Sequence, residues 1–149
     1  MGDEVSNIGQ NNVRGLVQDV SELFDAMANE LRSKTVFANT RPADAKTFML
    51  ISRHPRGLTE LANALEISRQ AAHKSVQRLV EAGVVSFDYA PNSKRDMVAE
   101  LTEKGLEARK VGLGIAAEVE RFVCEAVGDK DLEALRRILL KVLDRAKSI

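Results

Sequence analysis

Arg69, Gln70, His73, Lys74, Gln77 and Arg78 lie within ten residues of one another, interleaved with Ala71, Ala72, Val76, Leu79 and Val80. The apolar residues recur at helical spacing, so turning them inward turns the six polar side chains outward. Arg and Gln can make paired hydrogen bonds to base edges, and Lys and Arg neutralise phosphates. Ser68 precedes the run as a natural cap, and the free amides of the first helical turn attract a phosphate. A second basic group, Lys94 and Arg95, sits in the turn-rich stretch Pro91-Asn92-Ser93-Lys94-Arg95. The chemistry these residues offer is recognition of a polyanion. Catalysis would need other equipment, and the sequence has no nucleophile–base pair, no phosphate-cradling glycine loop and no metal constellation. The reading is therefore a non-enzyme with no cofactor, no metal site and no catalytic residue.

A row of Arg, Gln, His and Lys on one helix is by itself an ordinary solvated face, so the elements around it must decide. His73 has no second ligand at a helical offset and reads as a DNA contact or a surface residue. His54 reads as a helix-end residue. Cys124 lies between apolar neighbours and by default is a small buried hydrophobe.

The helix of Arg69 to Arg78 belongs to a compact series. Thr59 can cap a short helix carrying Leu61, Ala62 and Leu65, Glu66-Ile67 makes a turn, and Ser68 opens the next helix, which Gly83 ends. Ala62 is small enough for two backbones to approach. Two short helices crossed steeply around a tight turn are a helix-turn-helix. Val84 to Ala90 then reads as a strand, with Val85, Phe87 and Tyr89 on alternate positions, and Met97 to Leu101 as its return.

Upstream, the periodic series from Val13 to Leu31 predicts an amphipathic helix ending near Phe37 to Asn39. Pro42 suits the first turn of another helix, capped by Thr40 or Arg41 and apolar nearly all round at Phe48 to Ile51. His54-Pro55-Arg56-Gly57 ends it. Downstream, Thr102 can cap a long helix from Glu103 to Val127 with two apolar faces, which imply burial on two sides. Gly112 and Gly114 within it suggest close packing or a bend. Gly128 stops that helix, and Asp129 caps a last one with a sharp apolar stripe from Leu132 to Ala146.

The run Gly57 to Val85, the loop PNSKRDM and the segment LTEKG (Leu101 to Gly105) together resemble the multiple antibiotic resistance regulator (MarR) family of winged-helix transcription factors. The resemblance runs from about Pro42 to Gly105, with compatible helices on both sides. It implies a mostly α chain with a small β-hairpin wing: a flexible lead over 1–12, a dimerisation helix over 13–39, a DNA-binding winged helix-turn-helix over 40–102 and dimerisation helices over 103–149. It implies a homodimeric repressor whose two lobes read a pseudo-palindromic operator in major grooves ~10 bp apart. Arg69, Gln70, His73, Lys74 and Gln77 would approach bases, Ser68 and Arg78 would hold phosphates, and Arg95, beside Lys94, would enter the minor groove. Ser93 stands where the family usually has an Asp that braces the wing arginine. Family members often release DNA on binding a small aromatic or phenolic acid; no motif here marks a ligand site. The rival reading is a winged-helix protein whose main partner is another protein.

Composition bounds the same picture. The 149 residues are about one domain, 44% apolar and 30% charged, with no Trp. Lys plus Arg and Asp plus Glu number 22 each, which argues against a basic tail that clings to any polyanion but not against a basic patch. Residues 53–96 nonetheless hold seven basic and five acidic side chains, whereas residues 1–52 hold five basic and seven acidic, so the surplus of positive charge lies on the lobe that carries the helix-turn-helix and the hairpin. One Cys rules out an internal disulfide. No apolar run approaches the length of a membrane span, and the polar stretch Met1 to Asn12 does not read as a signal peptide. The expected compartment is the cytoplasm.

Overall fold

The computed structural model describes Gly9 and residues 11–149. Most of the flexible lead expected over 1–12 lies outside them. Among the described residues there are six helices and one hairpin: α1 (Val13–Ser33), α2 (Pro42–Arg53), α3 (Leu58–Leu65), α4 (Arg69–Glu81), β1 (Val85–Tyr89), β2 (Met97–Leu101), α5 (Glu103–Val127) and α6 (Asp129–Lys147). They form two compact units, one from Asn29 to Gly114 and one from the residues up to Ala28 together with Ile115 to Ile149.

The unit from Asn29 to Gly114 holds the buried core. Ile51 of α2, Leu61 and Ala62 of α3, Ala72, Val76 and Leu79 of α4, Val84, Val85 of β1, Ala99 of β2 and Ala108 of α5 form one cluster. Each large aliphatic side chain fully removed from water, such as Leu61 or Ile51, is worth ~1.5–3 kcal/mol. Ala62 and Ala72 are both buried, as a close crossing of α3 and α4 requires. Glu66 turns the chain between them in the left-handed region, at φ 55°, and the Ile67 amide donates to the Ala62 carbonyl. Gly83, at φ +82°, makes the equivalent reversal after α4.

The hairpin pairs β1 and β2 antiparallel, with Val85 opposite Leu101, Phe87 opposite Ala99 and Tyr89 opposite Met97. Both strands fall where alternation places them. Ala99 also exchanges two main-chain hydrogen bonds with Arg56, at 3.0 and 2.7 Å. The segment that ends α2 is thus bound to the hairpin.

Several local expectations shift. α1 stops at Ser33, short of Phe37 to Asn39, because the Ser33 and Thr35 hydroxyls donate to the Glu30 and Arg32 carbonyls and short turns take over. α2 is not apolar all round. Its buried residues are Asp44, Thr47 and Ile51, and Met49 is exposed. Its cap is Arg41, with Pro42 opening the helix. The cap of α3 is Gly57 rather than Thr59, since Leu58 packs against the core and draws the first turn upstream. The cap of α6 is Gly128, at φ 86°, with Asp129 inside the first turn. Thr102 does open α5, accepting the Gly105 amide at 3.1 Å. Only Gly105 and Ala108 of α5 are buried, and a methyl group on Gly112 or Gly114 would meet nothing within 4 Å. Those two glycines therefore make no close packing within the described residues.

In the other unit none of the described residues is buried. Leu16, Val17, Val20 and Leu23 of α1, and Leu135, Ile138, Leu139, Val142 and Leu143 of α6, are exposed apolar side chains at helical spacing. Arg136 links α6 to α5 through an ion pair with Glu120 at 2.6 Å. Cys124 is half-buried, and its thiol donates to the Asp129 carboxylate at 2.8 Å. It is thus a polar partner rather than a small hydrophobe among apolar neighbours.

Candidate nucleic-acid interface

α4 begins as a helix offered to an anion would. The Ser68 hydroxyl oxygen accepts the Ala71 amide at 3.0 Å, which leaves the Arg69 and Gln70 amides at the positive end of the helix without intrahelical acceptors. Beyond that turn Arg69, Gln70, Lys74 and Gln77 are exposed, while Ala72, Ser75, Val76 and Leu79 are buried. The inward and outward faces divide as the spacing requires for these four. Two of the six polar residues depart from it. His73 is half-buried, with its ring 5.9 Å from that of Phe87 and tilted by 51°, so it joins the middle of α4 to β1. Arg78, which the spacing turns outward, closes instead on Asp44 of α2. Its Nε donates to Oδ2 at 2.8 Å and its Nη2 to Oδ1 at 2.9 Å.

That contact is the centre of a polar cluster under α4. The Ser75 hydroxyl donates to Asp44 Oδ1 at 2.6 Å and lies 2.8 Å from Thr47 Oγ1. The Thr47 hydroxyl donates to the Ala43 carbonyl at 3.1 Å. Burial disfavours the Asp44 charge, but the hydrogen bonds from Arg78 and Ser75 and the positive charges of Arg78 and Arg41 outweigh it, holding the carboxyl below the usual carboxylate range. Asp44, Thr47 and Ser75 carry no signal in the sequence. An acid in the first turn of a helix is commonplace, and these partners lie about 30 residues away.

The wing is ordered by its own short hydrogen bonds. The Ala90 amide donates to Asp96 O at 2.7 Å and the Ser93 amide to Ala90 O at 3.0 Å. Ser93 Oγ accepts the Arg95 and Asp96 amides at 3.2 and 3.0 Å. A serine thus organises the tip through the main chain and leaves the arginine side chain unbraced. Lys94 and Arg95 are exposed. Among the described residues neither they nor Arg69 and Lys74 form an ion pair, so four cations on α4 and the wing remain available to an anion.

The segment LTEKG closes the far end of α4. The Thr102 hydroxyl donates to Gly83 O at 2.5 Å and Lys104 Nζ to Ala82 O at 2.8 Å. Gly105 lies so near Val84 that a Cβ there would stand 2.0 Å from the Val84 carbonyl oxygen. The spacing of Thr, Lys and Gly is therefore the geometry of a clamp on the turn after the helix.

A helix pair around a tight turn followed by a two-stranded wing, with further helices before and after in the chain, also describes solved structures of other proteins. Wild-type MarR from E. coli, in its apo form, superposes with a TM-score of 0.73 at 22% identity, over 88% of this chain and 96% of its own. The chain has the MarR fold. A MarR transcriptional regulator from Methanosarcina mazei Go1 matches at a TM-score of 0.76 and 15% identity, over 91% of this chain and 96% of its own. RV1404 from Mycobacterium tuberculosis matches at 0.71 and 26%, over 91% and 92%. No family model and no curated protein matches the sequence. On the MarR fold the exposed face of α4 and the wing tip are the winged-helix elements, and the cations named above lie on both. Among the described residues no helix is long and apolar enough to cross a membrane.

Proposed function

We propose that this chain is a DNA-binding transcriptional regulator that works as a homodimer and represses by occupying a pseudo-palindromic operator. The observation that carries the reading is the free exposed set on one lobe. Arg69, Gln70, Lys74 and Gln77 stand on a capped helix, with Lys94 and Arg95 on an adjoining hairpin, all uncommitted to protein carboxylates among the described residues. Arg69, Gln70, Lys74 and Gln77 are assigned to bases and their flanking phosphates. His73 abuts them with its ring held by Phe87. Ser68 keeps its hydroxyl hydrogen for a phosphate, and Arg95, with Lys94, is assigned to the minor groove. Arg78 is left out of this surface.

The other unit supports the dimer: its amphipathic helices bury nothing among the described residues and leave their apolar stripes for a partner. A second copy supplies the same stripe and gives two lobes related by a two-fold axis. With only a small positive surplus per lobe, two lobes acting together suit a salt-sensitive, cooperative grip. Release by a small aromatic or phenolic effector belongs to the same reading and is checked by adding a hydroxybenzoic acid to the preformed complex.

The test is selection of bound fragments from random genomic DNA, followed by sequencing. Enrichment of one motif with two-fold symmetry supports the reading. A pool that keeps the starting composition refutes it and favours a protein partner for the lobe.

A further inference from the structure

Asp44 is the one buried ionisable side chain among the described residues, at 4% exposure. It lies in the first turn of α2, where the free helix amides favour a negative charge. Three hydrogen bonds reach its carboxylate, two from Arg78 and one from Ser75. Ser75 and Arg78 are one turn apart on the inner edge of α4, and the exposed Lys74 and Gln77 alternate with them. The turn of α4 that presents Lys74 and Gln77 is thus held from below by a single carboxylate.

We propose that Asp44 withholds Arg78 from nucleic acid, so that the cations by which α4 meets phosphate are Arg69 and Lys74 and not Arg78, and that α4 is positioned by the grip on Ser75 and Arg78. This rests on the DNA-binding reading above. A phosphate that took the Nε–Nη2 edge of Arg78 would have to replace a carboxylate bound through two parallel donors. It would also leave that carboxylate buried without its cation, which is the costlier half of the exchange. The four cations outside this grip face no such competitor. Asp44 is therefore a positioning residue, acting on DNA through α4 and touching none of it.

Two measurements test this on the full chain. The first is the slope of log Kd against log salt for the selected operator, for wild type, Asp44→Asn and the double variant Asp44→Asn with Arg78→Met. Each phosphate neutralised adds about 0.9 to that slope. Asp44→Asn frees Arg78 and steepens the slope by about 0.9 per bound lobe, an extra loss of about threefold per lobe between 50 and 200 mM salt. The double variant, which has no cation to free, returns to the wild-type slope. A wild-type slope that already matches Asp44→Asn, with the double variant shallower than both, overturns the proposal, because Arg78 then contacts phosphate in the native protein.

The second measurement needs no DNA. Phenylglyoxal modifies free guanidinium groups, and mass spectrometry of the peptides reports each arginine separately. Arg78 is protected in wild type relative to Arg69 and Arg95, and Asp44→Asn abolishes the protection. Equal reactivity of Arg78, Arg69 and Arg95 in the native chain overturns the proposal whether or not the chain binds DNA. Protection of Arg78 with no operator binding keeps the grip and refutes only the DNA-binding reading.

Discussion

Arg78→Met is expected to destabilise the protein more than Asp44→Asn, although both remove the same ion pair. The reason lies in the unequal exposure of the partners. The Arg78 side chain is 34% exposed and that of Asp44 only 5%. Without Asp44, the guanidinium can turn toward water. Without Arg78, the carboxylate stays under α4 with the Ser75 hydroxyl as its remaining strong donor. Stranding one member of a buried pair costs ~3–5 kcal/mol, and the Ser75 bond and the α2 amides bring the figure for Arg78→Met toward the lower end, ~3 kcal/mol. Asp44→Asn keeps the shape of the side chain and loses charge-assisted bonds, a cost of ~1–2 kcal/mol. At ~2–4 °C per kcal/mol for a chain of this size, Tm falls by ~6–12 °C in the first variant and ~2–8 °C in the second. The double variant is expected within ~1 kcal/mol of Asp44→Asn, because no charge is left stranded.

The same pair carries a pH signature. In the native protein the Asp44 carboxyl titrates below its unfolded value of ~3.9. Its contribution to stability is therefore present above that value and is lost as pH falls through the depressed folded one. In Arg78→Met only the Ser75 hydrogen bond and the Arg41 charge are left to oppose burial, which is the largest single influence, so the folded value rises. The penalty is then full at neutral pH and fades as the stranded carboxyl takes up a proton. Urea titrations of all four proteins at pH 7 and at pH 4.5 measure this, with the other carboxyls cancelling in the differences. The gap between Arg78→Met and the double variant should narrow at the lower pH. A gap that is unchanged, or an Asp44→Asn cost equal to that of Arg78→Met, would refute the reasoning.

Other predictions follow from the same geometry. Gly105→Ala places a Cβ 2.0 Å from the Val84 carbonyl oxygen and 3.2 Å from Leu101 Cβ, so the clamp on the end of α4 must open. Overpacking and the lost Thr102 and Lys104 bonds together should cost at least ~3 kcal/mol by urea titration, and a cost below ~1 kcal/mol would show that the clamp is loose. Leu139→Arg with Leu143→Arg puts charge into the exposed stripe of α6. Sedimentation should show a dimer in wild type and a monomer in this variant, and an unchanged dimer would place the interface elsewhere. The Cys124 thiol is pushed above its usual pKa by its hydrogen bond to Asp129, by burial and by the charges of Asp129 and Glu125. It should react with a disulfide reagent at pH 8 more slowly than free cysteine, and faster in Asp129→Asn. A native thiol as reactive as free cysteine contradicts that contact.

The helix-turn-helix and wing were legible because their local signals agree: Ser68 as a cap, Gly83 after α4, strict alternation at Val85, Phe87 and Tyr89, and a Pro-Asn-Ser turn. Each acts over a few residues. What stayed hidden depends on tertiary contact. Asp44 reads as a routine first-turn acid, and only the fold brings it to Ser75 and Arg78. Arg56 reads as part of a helix stop, and its pairing with Ala99 needs the hairpin in place. Caps slipped by one or two residues wherever packing overrode the polar signal, as Leu58 did for Thr59. The outward face of α4 was legible residue by residue except at His73 and Arg78, since helical spacing fixes a direction and not which side chain finds a partner in the fold.

The most direct test of the central claim is fluorescence anisotropy on the selected operator in the presence of excess unrelated DNA. The variants are Arg69→Ala on the recognition helix and Arg95→Ala on the wing. The account predicts saturable binding of wild type that survives the competitor, and a loss of about 1–3 kcal/mol, roughly 5- to 150-fold in Kd, for Arg69→Ala with relaxed discrimination at one base pair. Arg95→Ala should weaken binding as well. Binding that vanishes with competitor, or that neither substitution changes, would contradict it.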